Sequence, residues 1–207
     1  MATALGRREA TKERNRAAIL GAARAAFAAN GYGGTAVRDI VRRTDLSPGT
    51  FYNYFPDKES IFLALVEEST SRIRARLREA RRDARSLEEF VTCAYRAWFG
   101  AIAEDPAMFE LLRRNAGTVR AMLDDALLTA GVDELLEDLH AAIVAGDLPP
   151  LDARYMARAM AGVGLEVGME MLERRPVDVD GAATFAGDLF LGGIERLAQV
   201  HNGRASN

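Results

Sequence analysis

Ser47-Pro48-Gly49-Thr50-Phe51-Tyr52-Asn53-Tyr54-Phe55 is the stretch whose reading decides the fold. A serine hydroxyl accepts an orphan backbone N–H at a helix start, and proline suits the first helical position, so a short helix is expected from Pro48 to about Tyr54, stopped by Pro56. Phe51 and Phe55 fall four residues apart on its inner face, which leaves Pro48, Gly49, Thr50, Tyr52, Asn53 and Tyr54 to share the outward directions. Just upstream, Thr35 is expected to cap another short helix, Ala36 to about Arg43, with Val37, Ile40 and Val41 facing inward. Thr44-Asp45-Leu46 joins the two. A longer helix, about Thr11 to Asn30, precedes them, with Ile19, Ala23, Ala26 and Phe27 on one face and Gly31 as its stop. Two short helices across a tight turn, braced by a third, outline a helix-turn-helix. Small residues at the start of the second let its backbone approach a groove closely. Thr and Tyr hydroxyls suit phosphate oxygens, a Thr methyl suits a thymine methyl, and Asn can pair with an adenine edge.

The charge distribution agrees with that outline. The 207-residue chain carries a net charge of -3, but residues 1–58 hold ten Arg or Lys against five Asp or Glu, and the remainder is acidic. A basic head on an acidic body suits a protein of which one end approaches phosphates. Hydrophobic residues at 49% and charged residues at 28% exclude a disordered tail, a fibre and a disulfide scaffold. The single cysteine, Cys93, cannot form an intrachain disulfide, and His140 and His201 alone cannot build the usual zinc sites. No cofactor or metal is expected. Without a signal peptide or a long apolar run, the expectation is a soluble, cytoplasmic protein with no membrane partner.

Beyond the head, apolar residues recur at helical spacing and strand-like alternation is missing, so the whole chain reads as all-α. Asp57 is expected to cap a long fourth helix running through the Arg-rich stretch Arg72 to Arg85. Ser86-Leu87-Glu88-Glu89 has capping-box spacing and opens a fifth helix to about Glu104. Pro106 opens the next, to Arg114, followed by pieces at about Gly117 to Thr129 and Val132 to Gly146. The last two helices are expected at about Asp152 to Arg174 and Asp180 to Gln199.

The run Gly34-Thr35-Ala36-Val37-Arg38-Asp39-Ile40-Val41, then Leu46 through Phe55, then Asp57-Lys58-Glu59, closely resembles the DNA-binding head of the tetracycline-repressor (TetR) family over about Ala17 to Val66. The family usually shows Ala in place of Val41 and Ala-Gly-Val in place of Thr44-Asp45-Leu46, changes that keep burial and lose a turn glycine. The resemblance implies that Arg38, Thr50, Tyr52, Asn53, Tyr54 and Lys58 face DNA, with Thr35, Ser47, Pro48 and Gly49 positioning them. Tyr54 can instead be partly core, and Thr35 only a cap. Lys58 reads as a phosphate anchor. Arg7, Arg8 and Lys12 could extend along the DNA backbone or minor groove.

A single helix-turn-helix covers few base pairs, so a two-fold dimer on a palindromic operator in double-stranded DNA is expected. The last two helices are the candidates for that homodimer. Gly162, Gly164, Gly168, Gly187, Gly192 and Gly193 each cost a helix roughly 1 kcal/mol relative to Ala, and make sense where another backbone packs closely. In the middle helices Trp98, Phe99, Phe109, Met122, His140 and Glu166 are candidate effector contacts, since large aromatics and Met with a few polar insertions can line an apolar cavity. Glu166, in an apolar stretch, must pair, face the dimer seam or meet a ligand. The family resemblance implies a small hydrophobic or amphipathic effector that shifts the heads off DNA. Catalytic motifs are missing: there is no G-x-S-x-G elbow, P-loop or H-E-x-x-H. The resulting expectation is an all-α chain: a three-helix helix-turn-helix DNA-binding head at residues 1–57 and a larger helical effector and dimerisation domain at 58–207. The resemblance implies a transcriptional regulator, by family habit a repressor. The alternative is an effector-independent or nucleoid-type DNA-binding protein.

Overall fold

The computed structural model describes residues 2–122 and 125–205, with side chains described for residues 6–119 and 130–200. All regular structure among the described residues is helical. Among the described residues the helices are, in order, α1 Ala2–Gly34, α2 Val37–Val41, α3 Pro48–Tyr52, α4 Lys58–Arg82, α5 Leu87–Glu104, α6 Pro106–Arg114, α7 Ala116–Met122, α8 Asp125–Ala145, α9 Ala153–Glu173 and α10 Val179–Ala205. They form two units, one of residues Met1–Thr70 with Ala107–Leu123, the other of Ser71–Pro106 with Asp124–Asn207. Helix α4 contributes to both.

In the first unit the apolar stripe of α1 is buried as its spacing requires: Ile19, Ala23, Ala26 and Phe27 are all inside. Helix α1 is broken at Gly31, whose φ of 71° lies in the left-handed region that a side chain would resist, and it resumes for one short turn to Gly34. Phe27, Tyr32 and Phe62 form an aromatic cluster beneath this break, with the Phe27 and Phe62 rings edge-on at 5.9 Å and the Tyr32 and Phe62 rings at 4.5 Å. Such pairs add to the gain from burying each phenyl ring, about 1.5–3 kcal/mol.

Thr35 corrects one expectation. It does not cap α2, whose N-cap is Ala36; its hydroxyl turns inward and donates to the carbonyls of Gly31 at 2.7 Å and Ala26 at 3.2 Å. Both carbonyls lie in the last turns of α1, beside the break at Gly31 and within reach of this hydroxyl. The start of α2 is closed by Asp39, whose carboxylate accepts the Ala36 N–H at 2.9 Å.

In the second unit, α9 and α10 both pack on α5, and α8 packs on α9. The closeness of these approaches explains half of the glycine stripe. A Cβ on Gly168 would lie 2.5 Å from Ile102 Cδ1, one on Gly187 would lie 2.9 Å from Thr92 Oγ1, and one on Gly164 would lie 3.4 Å from Trp98 Nε1. The Tyr95 ring stacks between Phe99 and Phe190, and its hydroxyl donates to the Met160 carbonyl at 2.9 Å. Burial pushes that phenol well above the ordinary tyrosine range.

Several helix ends follow local chemistry. Ser86 accepts the Glu89 N–H at 3.1 Å, Asp57 accepts the Ser60 N–H at 2.7 Å and Asp152 accepts the Tyr155 N–H at 3.0 Å. The carboxylate of Glu89 takes the N–H of Arg85, one residue short of the box partner. Gly146, with φ 84°, ends α8 and lets the Asp147 N–H reach back to the Ala142 carbonyl at 2.9 Å. Several boundaries differ from expectation: α1 begins at Ala2 rather than about Thr11, α10 runs to Ala205 rather than about Gln199, and α8 runs straight through Gly131, where a break was expected. A lone glycine costs too little to break a helix with continuous apolar periodicity.

Three arginines of α4 meet two acids of α8. Arg81, almost wholly buried, donates to Asp138 at 2.6 Å, while Glu134 accepts from Arg78 at 2.9 Å and from Arg74. Burial by itself would raise the Glu134 carboxyl, but the guanidinium groups around it prevail and hold it below the ordinary carboxylate range.

Candidate nucleic-acid interface

The geometry of α2 and α3 follows from one buried pair. Phe51 is fully buried and Phe55 nearly so, which anchors α3 in the first unit and turns the residues between them outward. Ser47 Oγ accepts the Thr50 N–H at 3.2 Å and lies 2.9 Å from the Thr50 hydroxyl, so the start of α3 is held by two linked hydroxyl groups. Pro48 takes the first helical position and Asn53 caps the end. Pro48, Gly49 and Asn53 are exposed, and Tyr52 is 53% exposed with its ring edge-on to Phe51 at 5.7 Å. On α2, the Arg38 side chain is 79% exposed. Arg38, Thr50, Tyr52 and Asn53 thus stand outside the Phe51–Phe55 anchor, and Thr35 lies inside, where it can position but not touch a ligand.

Two residues are more constrained than sequence spacing alone conveys. Tyr54 is half-buried, and its hydroxyl accepts a hydrogen bond from the Asn15 side-chain amide at 3.2 Å. Lys58 donates to the Tyr32 carbonyl at 2.8 Å and its ammonium lies 4.3 Å from the Tyr32 ring centroid. The lysine therefore ties the start of α4 to the end of α1 with one of its three donors. Asn15 and Arg16, whose guanidinium lies 5.8 Å from the Phe55 ring centroid, were invisible to spacing arguments because their partners lie about forty residues away.

The candidate effector residues scatter. Phe99 is fully buried against Tyr95 and beneath Gly168, and Trp98, half-buried, donates its indole N–H to the Gly164 carbonyl at 2.9 Å. Phe109 is buried in the first unit. His140 and Glu166 are exposed. The reason is helical phase: the buried stripe of α9 runs through Ala157, Met160, Gly164, Gly168 and Met171, and Glu166 falls opposite it, while His140 follows the buried Leu139 by one residue. The Met122 side chain lies outside the described residues. Among the described residues no group of three or more His, Cys, Asp or Glu could hold a metal ion, and no helix is long and apolar enough to cross a membrane.

A short, buried-anchor helix presented after a tight turn, with arginine, threonine, tyrosine and asparagine outward, defines a helix-turn-helix DNA-binding protein. Residues 19–65 match the model of the bacterial regulatory proteins of the tetR family. An otherwise uncharacterized HTH-type transcriptional regulator of Haemophilus influenzae is 28% identical over 136 residues, 64% of this chain and 66% of that relative, just under two thirds of its length. Two solved structures share the fold over most of both chains. The transcriptional regulator FadR from Bacillus subtilis in complex with stearoyl-CoA has a TM-score of 0.75 at 23% identity, covering 86% of this chain and 98% of that one. A transcriptional regulator from Pseudomonas aeruginosa PAO1 has a TM-score of 0.76 at 18% identity, covering 89% and 92%. The match to the tetR family of bacterial regulatory proteins thus covers the segment that carries α2 and α3.

Proposed function

We propose that this protein is a cytoplasmic transcriptional repressor that binds a palindromic operator as a homodimer and is released by a small apolar or amphipathic effector. The observation that carries the DNA-reading part is the outward set Arg38, Thr50, Tyr52 and Asn53 around the buried Phe51–Phe55 anchor. In this reading Tyr52 and Asn53 face base edges, Thr50, Tyr54 and Lys58 hold phosphates, and Ser47, Pro48, Gly49 and Thr35 set their positions. Residues 1–57 are the reading head and 58–207 the effector and dimerisation body.

Homodimerisation through α9 and α10 is supported by what these helices leave uncovered. Tyr155 and Leu165 on α9, with Phe185, Leu189 and Leu197 on α10, are exposed large apolar side chains, and Gly162, Gly192 and Gly193 beside them have nothing within 4 Å of an added Cβ. An apolar face with glycines in open space suits a second copy of the same two helices. An acyl-type effector is supported by the apolar interior of the second unit and by the stearoyl-CoA that a fold neighbour at 23% identity holds. Release then follows from tighter effector binding to the state whose heads do not fit successive grooves.

The test is selection of bound fragments of genomic DNA at near-physiological salt, without added ligand. Enrichment of a short palindrome is the expected outcome. Salt-sensitive binding without sequence preference would reject the operator reading in favour of a nucleoid-type role.

A further inference from the structure

We propose that Asn15 is a positioning residue for DNA binding: it leaves the Tyr54 hydroxyl proton free for a phosphate oxygen. The inference rests on the DNA-binding reading above and concerns a residue outside the helix-turn-helix. Asn15 Nδ2 donates to Tyr54 Oη at 3.2 Å, and an amide nitrogen can only donate. The phenol oxygen is therefore the acceptor in this pair, and its own single proton is not consumed. A DNA phosphate oxygen accepts and never donates, so that proton is the part of Tyr54 it requires.

Around this bond the tyrosine has little freedom. The Tyr54 N–H is fixed on the Phe51 carbonyl at 2.9 Å, and the following residue, Phe55, is buried beneath the guanidinium of Arg16 at 5.8 Å. Consecutive residues of α1, Asn15 and Arg16, thus grip consecutive residues after α3, Tyr54 and Phe55. This seats the far end of the recognition helix on α1 while pointing a hydrogen-bond donor, not an acceptor, away from it.

Asn15→Asp inverts the polarity of the bond, because a carboxylate accepts and would take the Tyr54 proton. The tie between α1 and Tyr54 survives; the donor to DNA does not. The added negative charge repels DNA whatever Tyr54 does, so the comparison is made in two backgrounds. Binding of a fluorescent random-sequence duplex is measured at low salt for the full-length protein, Asn15→Asp, Tyr54→Phe and the double variant. The expected result is that Asn15→Asp weakens binding about tenfold more in the parent than in the Tyr54→Phe background, since the charge acts in both and the donor is lost only once. Equal losses in both backgrounds overturn the proposal and leave Asn15 a packing residue. Failure of the unmutated protein to bind any duplex rejects the DNA-binding reading itself, and this inference with it. Should Asn15→Asp not fold, the Asn15 side-chain amide protons of the unmutated protein are followed by NMR as duplex is added. Retention of their hydrogen-bonded shift is expected, and a move to the solvent-exposed value overturns the proposal.

Discussion

Substituting alanine at glycines of α9 and α10 separates the core of the chain from its proposed dimer face, because the same chemical change has opposite signs at the two. At Gly168 the new methyl would lie 2.5 Å from Ile102 Cδ1 and 3.6 Å from the Phe99 ring, both of them core side chains. Overpacking of this kind costs about 1–3 kcal/mol, against which the better helix propensity of alanine returns up to about 1 kcal/mol. Gly168→Ala is therefore expected to lower stability by up to about 2 kcal/mol in urea unfolding. At Gly162 and Gly192 no atom lies within 4 Å of the added methyl, so in one isolated chain each substitution should raise stability by up to about 1 kcal/mol. If a second copy packs its α9 and α10 on this face, the same methyl groups hold the two apart. Sedimentation equilibrium should then show a dimer that dissociates more readily, even as the folded chain itself gains helix propensity. Two results would refute the reasoning. Gly168→Ala above parental stability would mean that α9 does not pack on α5 as closely as the distances imply. Gly162→Ala and Gly192→Ala that leave the association constant unchanged would remove the second copy from these glycines.

Two further outcomes follow from charged side chains. Lys58→Ala should weaken binding to all duplexes alike and lower the salt slope by about one, as loss of one phosphate contact requires; lower stability with an unchanged slope would mean that the ammonium serves only the Tyr32 carbonyl. The folded-state pKa of Glu134 is lowered, so its ion pairs stabilise the protein above the ordinary carboxylate range and that contribution fades as pH falls through it. Glu134→Gln should accordingly lose stability at neutral pH, on the order of 1 kcal/mol for a partly exposed pair, with the difference from the parent shrinking toward acid pH in parallel thermal melts. A gap that does not narrow would show that the carboxylate charge is not what matters there.

Much of this protein is local in the sequence and was legible there. The Phe51–Phe55 spacing, the Ser47-Pro48 start, the caps at Asp57 and Ser86 and the stop at Gly146 each depend on residues within one or two helical turns, where backbone geometry leaves few choices. The apolar stripe of α1 likewise needed only the helical period to place Ile19, Ala23 and Phe27 inside. What the tertiary structure alone decided is partner choice between residues far apart along the chain. Nothing local tells Asn15 to meet Tyr54, Lys58 to close the end of α1, or Glu134 to gather arginines from α4. Thr35 shows the same limit: a threonine before a helix has the chemistry of a cap, but the break at Gly31 offered its hydroxyl buried carbonyls instead. The glycines of α9 and α10 were recognisable as sites of close approach. Which of them face α5 and which lie open depends on helix phase within the packed unit, and phase is set by the summed burial of whole helices rather than by any single residue.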